Sequence, residues 1–252
     1  MRYGFFARLG IMHNVFMKIC ILHIGHTEPG EKPKHLPSPQ RFQNALNPLL
    51  PEAQWHVVSA VKDVLPLPEA FDAYLITGGK YSVFEPLDWQ DRLFDFLRSA
   101  HKQRSAVIGI CYGHQAVAYA LGGKVERTIG KGWGVGIMPV NVVRATGWAE
   151  AEGGVMLHAM HQDQVARLPE GAEIFLSSDF CPISGFTIGS HILCIQQHPD
   201  FTTALSADLI NKRIDRIAAQ AQPALESLKG RDDSAVSVRW MADFLRAALS
   251  AP

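Results

Sequence analysis

Ala106-Val-Ile-Gly-Ile-Cys-Tyr-Gly-His-Gln-Ala-Val-Ala-Tyr-Ala-Leu-Gly-Gly123 is the stretch that decides how this chain folds. It opens on an apolar, β-branched run, the pattern of a strand buried on both faces. Gly109 and Gly113 stand on either side of Cys111, and a small, apolar, helix-compatible segment follows until Gly122-Gly123 stops it. The line reads as strand, tight turn and helix, with Cys111 at the turn.

A thiol in that position is held up from the sheet edge, where a substrate can reach it. The free N–H groups and positive dipole end of the following helix favour a thiolate. The flanking glycines leave room for the turn and for a close substrate backbone. The other reading of Cys111 is a buried small hydrophobe, which is what most unpaired cysteines are. The turn by itself leaves both open.

Outward from this stretch, the chain alternates strands and helices. Met17-Lys-Ile-Cys-Ile-Leu-His-Ile24 reads as a first strand, and 27–39, rich in Pro, Lys and Glu, as a surface loop. A short helix is expected over 41–50, strands over 55–60 and 71–77, and a helix over 87–102. The strand at 71–77 ends in Gly78-Gly79, where backbone N–H groups can point at a ligand or merely form a turn. The order predicts an α/β protein with a flavodoxin-like, mostly parallel sheet flanked by helices. Ligands in such sheets bind beyond the carboxyl ends of the strands, where Gly78-Gly79 and Cys111 both fall.

Downstream, 124–128 and 135–143 read as strands around Gly130-Lys-Gly-Trp-Gly-Val-Gly136, a run that lacks the spacing and ending of a phosphate-binding loop. Its bare backbone suits the wall of a small-molecule pocket. Further strands are expected at 155–160, 172–177, 183–188 and 191–196, giving an additional small antiparallel sheet, then helices over 201–221 and 236–249. Residues 1–16 read as a loose tail before a domain spanning 17–252, with no signal-peptide pattern.

Lys and Arg number 24 and Asp and Glu 24, so no charge footprint points to nucleic acid or an acidic membrane. No apolar run approaches the length of a membrane span. Cysteines at 20, 111, 181 and 194 form neither a zinc pattern nor a disulfide framework, and they fit a reducing, cytoplasmic setting. Cys20, Cys181 and Cys194 lie in apolar strands and should be buried and inert.

A thiol nucleophile needs a base, and the base needs a third group to hold its tautomer. Among eleven histidines His198 is best placed, since it follows an apolar strand and precedes Pro199 at the same sheet edge as Cys111. Asp200 could turn its carboxylate to that imidazole, or cap the following helix. His114 lies on the elbow helix and should point along the wrong face.

Gly109-Ile-Cys-Tyr-Gly-His-Gln115, His161-Gln-Asp163 with Leu168-Pro-Glu-Gly-Ala172, and Gln196-Gln-His-Pro-Asp200 together resemble the class I (triad) glutamine amidotransferases, notably the glutaminase domain of GMP synthase. The motifs occur in the family's order over about 17–201. Related cysteine-elbow families commonly place a histidine directly after the cysteine, where Tyr112 stands here.

The resemblance implies that Cys111 attacks a glutamine carboxamide to give a γ-glutamyl thioester and ammonia. His198 would be base and then acid, and Asp200 would orient it. The N–H groups of Gly79 and Tyr112 would form the oxyanion hole, and Gln115, with backbone around Trp133 and Gly134, would hold the glutamine. No metal or organic cofactor is implied. The departure is Asp200, one methylene shorter than the family's usual Glu. His161 and Asp163 should shape the wall of the site rather than do chemistry.

A synthetase domain would need well over a hundred further residues. The resemblance therefore leaves a glutaminase feeding a separate synthetase subunit, or a freestanding γ-glutamyl hydrolase. A non-catalytic regulatory protein of the same fold is the third reading.

Overall fold

The computed structural model describes residues 16–25, 33–127, 132–149 and 154–250. The expected N-terminal tail up to residue 15, part of the 27–39 loop, and Gly130 and Lys131 of the glycine run lie outside the described residues.

Strand β1 (Met17–His23) is followed by α1 (Ser38–Leu46), β2 (Ala53–Ser59), β3 (Ala73–Ile76), α2 (Asp88–Lys102), β4 (Ala106–Ile110) and α3 (Tyr112–Ala120). Then come β5 (Lys124–Arg127), β6 (Gly134–Val142), β7 (Val155–His161), β8 (Asp163–Arg167), β9 (Ala172–Ser177), β10 (Gly185–Ile188) and β11 (Ile192–Ile195). The chain closes with α4 (Thr203–Asn211), α5 (Ile214–Ile217), α6 (Ala221–Ser227) and α7 (Ser234–Ser250).

Nine strands form one mixed sheet in the order β2-β1-β3-β4-β11-β10-β9-β6-β7, and β5 with β8 forms a separate antiparallel pair. The half that carries Cys111 is parallel from β2 to β11. Its strands are buried on both faces, and the period-2 alternation divides their side chains. Cys20, Leu22, Tyr74, Ile76 and Val107 join a core with Leu93 and Phe94 of α2 and Val117 of α3. Ile19, Ile21, Leu75, Ile108 and Leu193 face the opposite way, against Phe42 of α1 and Met241 and Phe244 of α7. A smaller core of Trp133, Val135 and Ile137 from β6 packs under Ile210, Ile217, Ala221 and Ala224.

Register sets what meets at the sheet edge. Ile76 pairs with Gly109, and Ile195 pairs with Ile110. The chain therefore leaves β3, β4 and β11 side by side, at Gly78, Cys111 and His198.

One expectation needs correction. The helix expected over 201–221 is broken: α4 ends at Asn211, Arg213 leaves helical geometry at φ −119°, and Ala218 sits at φ 50°. The segment after Gln162 is the strand β8, whose partner β5 lies far back in the chain. No helix among the described residues is long and apolar enough to cross a membrane.

Candidate active site

The elbow owes its shape to local packing. Cys111 has φ 51° and ψ −98°, a conformation an L-residue holds only when its surroundings impose it. Its N–H donates to Ile195 O at 2.9 Å, which ties the turn to the end of β11. Helix α3 can start this close to the sheet only because of two glycines. A Cβ on Gly113 would stand 2.5 Å from Ile76 O, and one on Gly109 would stand 2.6 Å from Gly113 O.

Gly78 sits beside the thiol. A Cβ there would lie 2.7 Å from His198 Cε1 and 3.5 Å from Cys111 Cβ. The equivalent direction from Gly79 reaches Ile24 and, at 3.8 Å, Tyr112 Cβ. The glycine turn after β3 and the first turn of α3 thus bring the Gly79 and Tyr112 backbones together next to Cys111.

The His198 ring and the Cys111 side chain stand next to each other across Gly78. The backbone N–H of His198 donates to His158 O at 2.8 Å, and its ring stacks on Phe201 with centroids 3.8 Å apart. Burial works against a charged imidazole. The attraction of Cys111, and then the hydrogen bond and charge of Asp200, overcome it and raise the pKa to about 9. The arrangement favours a charged imidazolium at His198.

The carboxylate of Asp200 is divided. Its Oδ1 lies 3.4 Å from His198 Nδ1, a long contact, as the missing methylene predicts. Its Oδ2 accepts from Arg41 Nη2 at 2.6 Å, from Arg41 Nε at 3.1 Å and from Ser38 Oγ at 3.1 Å. Burial would raise the pKa of this acid, but His198 and Arg41 together hold it below its ordinary value. Asp200 is not the cap of α4, because Thr202 accepts from Leu205 N.

Arg41 and Ser38, from α1, were invisible in the sequence as members of this cluster. Their partner is some 160 positions away, and no local pattern marks an arginine on an amphipathic helix as the anchor of an acid.

Gln115 is buried on α3 and donates to Asp163 O at 2.8 Å and to Gln196 Oε1 at 3.0 Å. Its Oε1 accepts no hydrogen bond among the described residues. The Trp133 N–H donates to Gln220 Oε1 at 2.7 Å, and the Trp133 carbonyl accepts from Gln220 Nε2 at 2.9 Å. What Trp133 can offer a ligand is therefore its indole rather than its backbone. Gly134 starts β6 opposite His161, and a Cβ there would stand 2.6 Å from His161 Nε2.

Asp163 bonds Ser82 Oγ through one oxygen and Arg127 Nε at 3.2 Å through the other, which braces the loop after Gly79. His161 is buried, with Nδ1 against Asp163 O. Burial pulls its pKa down to about 4, so it is neutral. His114 is wholly buried against Phe186, and burial lowers its pKa to about 3. Cys20 and Cys194 are buried, and burial pushes both thiols upward, Cys20 to about 12.

Gly78, Gly79, Cys111, Tyr112, Gln115, Trp133, His198 and Asp200 all line one cleft of about 460 Å³, within the range of ligand pockets. Among the described residues no cluster of His, Cys, Asp and Glu could hold a metal ion. A thiol beside a buried imidazole that an acid holds can attack an acyl carbon.

The sequence matches the family model described as glutamine amidotransferase class-I over residues 50–215. It is 28% identical over 151 residues to gamma-glutamyl peptidase 3 of Arabidopsis thaliana, covering 57% of this chain and 60% of that protein. It is 27% identical over 139 residues to a GMP synthase (glutamine-hydrolyzing) of Dehalococcoides mccartyi, covering 55% of this chain and 25% of that protein. The chain thus spans less than two thirds of the length of either relative. Its fold is similar to that of a glutamine amido transferase from Methylobacillus flagellatus, with a TM-score of 0.70 at 22% identity, over 93% of this chain and 94% of that one.

Proposed function

The chain belongs to the class I glutamine amidotransferase family, and from that premise we propose that it hydrolyses the γ-amide bond of a γ-glutamyl compound through a thioester on Cys111. The observation that carries this reading is the elbow itself, with Cys111 at φ 51° beside a buried His198 whose pKa is raised to about 9.

The Cys111 thiolate attacks the δ-carbonyl carbon, and the C=O electron pair moves to oxygen. The Gly79 and Tyr112 N–H groups receive that oxyanion, and each such donor is worth about 3 kcal/mol in the transition state. Collapse breaks the C–N bond, and the imidazolium of His198 gives its proton to the leaving nitrogen. Water then attacks the thioester while His198 takes its proton. Glutamate leaves, and thiolate and imidazolium are restored. Asp200, fixed by Arg41 and Ser38, holds the imidazole with Nδ1 inward, so that Nε2 faces the sulfur. Gln115 Oε1 is the acceptor offered to the substrate's ammonium group.

Likeness to gamma-glutamyl peptidase 3 supports a substrate larger than glutamine, and the cleft volume is consistent with one. Likeness to a GMP synthase supports a second reading, in which glutamine is the substrate and its ammonia passes to a separate synthetase subunit. Release of glutamate and amine from γ-glutamyl dipeptides, beside ammonia release from glutamine, separates the two. The proposal expects dipeptide turnover that vanishes in Cys111→Ala. Turnover of glutamine alone would favour the second reading, and undiminished turnover in Cys111→Ala would overturn both.

A further inference from the structure

The cleft carries charge that the reaction at Cys111 does not use. Among the described residues seven Lys and Arg line it against two Asp, in a chain whose overall charge is zero. Both aspartates are already committed, Asp200 to Arg41 and His198, and Asp163 to Arg127. Arg213 and Arg216 have no carboxylate partner among the described residues.

These two arginines continue a stripe that starts beside His198. Leu205 and Leu209 of α4 line the cleft, and past the break at the end of that helix Arg213 and Arg216 line it too. The stripe is apolar near the His198–Phe201 turn and cationic at its far end.

The far end is also built rather than loose. The Arg216 guanidinium lies 5.0 Å over the Trp133 ring, and the Trp133 backbone is clamped by both ends of the Gln220 amide. The Trp133 indole Nε1–H is a second, independent sign. It is buried at the cleft, and no acceptor among the described residues meets it. A buried donor left unmatched is costly, and it calls for an acceptor from outside the chain. Arg213 is half-buried, and its only hydrogen-bond acceptor among the described residues is Leu209 O at 3.3 Å. Burial and the neighbouring Arg216 lower its pKa, as expected of a cation without an anion.

We infer that Trp133, Arg213 and Arg216 form a subsite for a carboxylate at the far end of the substrate's leaving portion. The preferred substrates are then short γ-glutamyl peptides with a free C-terminus. The inference rests on the reading that Cys111 is the attacking atom, because that places the leaving portion along the stripe. An Arg pair with an indole donor suits a planar, bidentate anion. The same cations repel γ-glutamyl amines whose leaving group is positive.

The test is binding to the Cys111→Ala chain, measured calorimetrically with γ-glutamyl-alanyl-glycine, its C-terminal amide, and the same peptide amidated at the glutamyl α-carboxylate. The free acid is expected to bind about tenfold tighter than the C-terminal amide at low salt, and high salt should narrow the gap. Arg216→Gln, at an exposed position, and Arg213→Gln should each bring the acid-to-amide ratio toward one. Equal affinity of acid and amide, a preference that follows only the α-carboxylate, or no binding of any peptide would each overturn the subsite. Hydrolysis by the parent chain is read separately, so failure of the Cys111 chemistry shows as lost turnover, and failure of the subsite as a ratio of one.

Discussion

Replacing Arg41 by Gln should damage both the stability of the protein and the orientation of His198, by an amount the contacts allow us to state. The Arg41 side chain is 16% exposed and that of Asp200 1%, and two charge-assisted N–H bonds at 2.6 and 3.1 Å join them. Removing one partner of a buried ion pair costs about 3–5 kcal/mol, because the other charge stays buried. For a chain of this size that lowers the melting temperature by roughly 6–20 °C. The loss should depend on pH with a definite sign. The folded pKa of Asp200 is depressed, so the pair contributes stability above the unfolded value near 3.8, and that stability disappears as pH falls through the folded value. Without Arg41 the depression shrinks, and Asp200 protonates at a higher pH. Urea unfolding of parent and variant from pH 7.5 downward reads this directly. The deficit should be full from neutral pH down to about 4 and should narrow only below that. A deficit below 1 kcal/mol at neutral pH, or one that stays constant as pH falls, would refute the idea that Arg41 anchors the acid.

Gly78→Ala places a Cβ 2.7 Å from His198 Cε1 and should cut turnover about a hundredfold with little change in melting, whereas Gly113→Ala, aimed at Ile76 O, should prevent folding. Kinetics and melting curves on the two variants separate these effects, and similar behaviour would contradict the geometry. Tyr112→Phe removes the bond from the Tyr112 hydroxyl to Gln90 Oε1 at 2.8 Å and leaves that oxygen unmet, at a cost of about 1–3 kcal/mol by urea unfolding. The pKa of His198 near 9 exceeds its ordinary value of 6.5, so its charge stabilises the fold fully below pH 6.5, and that contribution is lost as pH rises through about 9. Cys111→Ala, which removes the negative partner, should flatten stability between pH 7 and 9. An unchanged slope would count against the ion pair.

Much of the fold is legible from neighbouring residues alone. The strand, turn and helix around Cys111 are written in Gly109, Gly113 and the apolar run before them, because steric demands at an elbow are local. The positions of Gly78 and His198 follow from the rule that parallel strands end together, which the Ile76–Gly109 and Ile195–Ile110 registers bear out. What was not legible depends on residues far apart. Strand β8 is recognisable only beside β5, and the antiparallel extension through β10, β9, β6 and β7 follows no sequence order. The break after Asn211 carries no proline or glycine. It arises where Ile210 and Ile217 both turn into the small core under β6. The sharing of Asp200 between His198 and Arg41 was likewise hidden, although Asp in place of Glu was its one sequence trace.

Cys111 as the attacking thiol is tested most directly by locating the adduct of a chloroketone analogue of glutamine on the intact protein by peptide mass spectrometry. The account predicts one adduct, on the peptide that carries Cys111, formed far more slowly in His198→Ala and suppressed by an excess of a γ-glutamyl dipeptide. Labelling spread over Cys20, Cys181 and Cys194, or labelling of Cys111 that neither His198 nor the dipeptide influences, would contradict it.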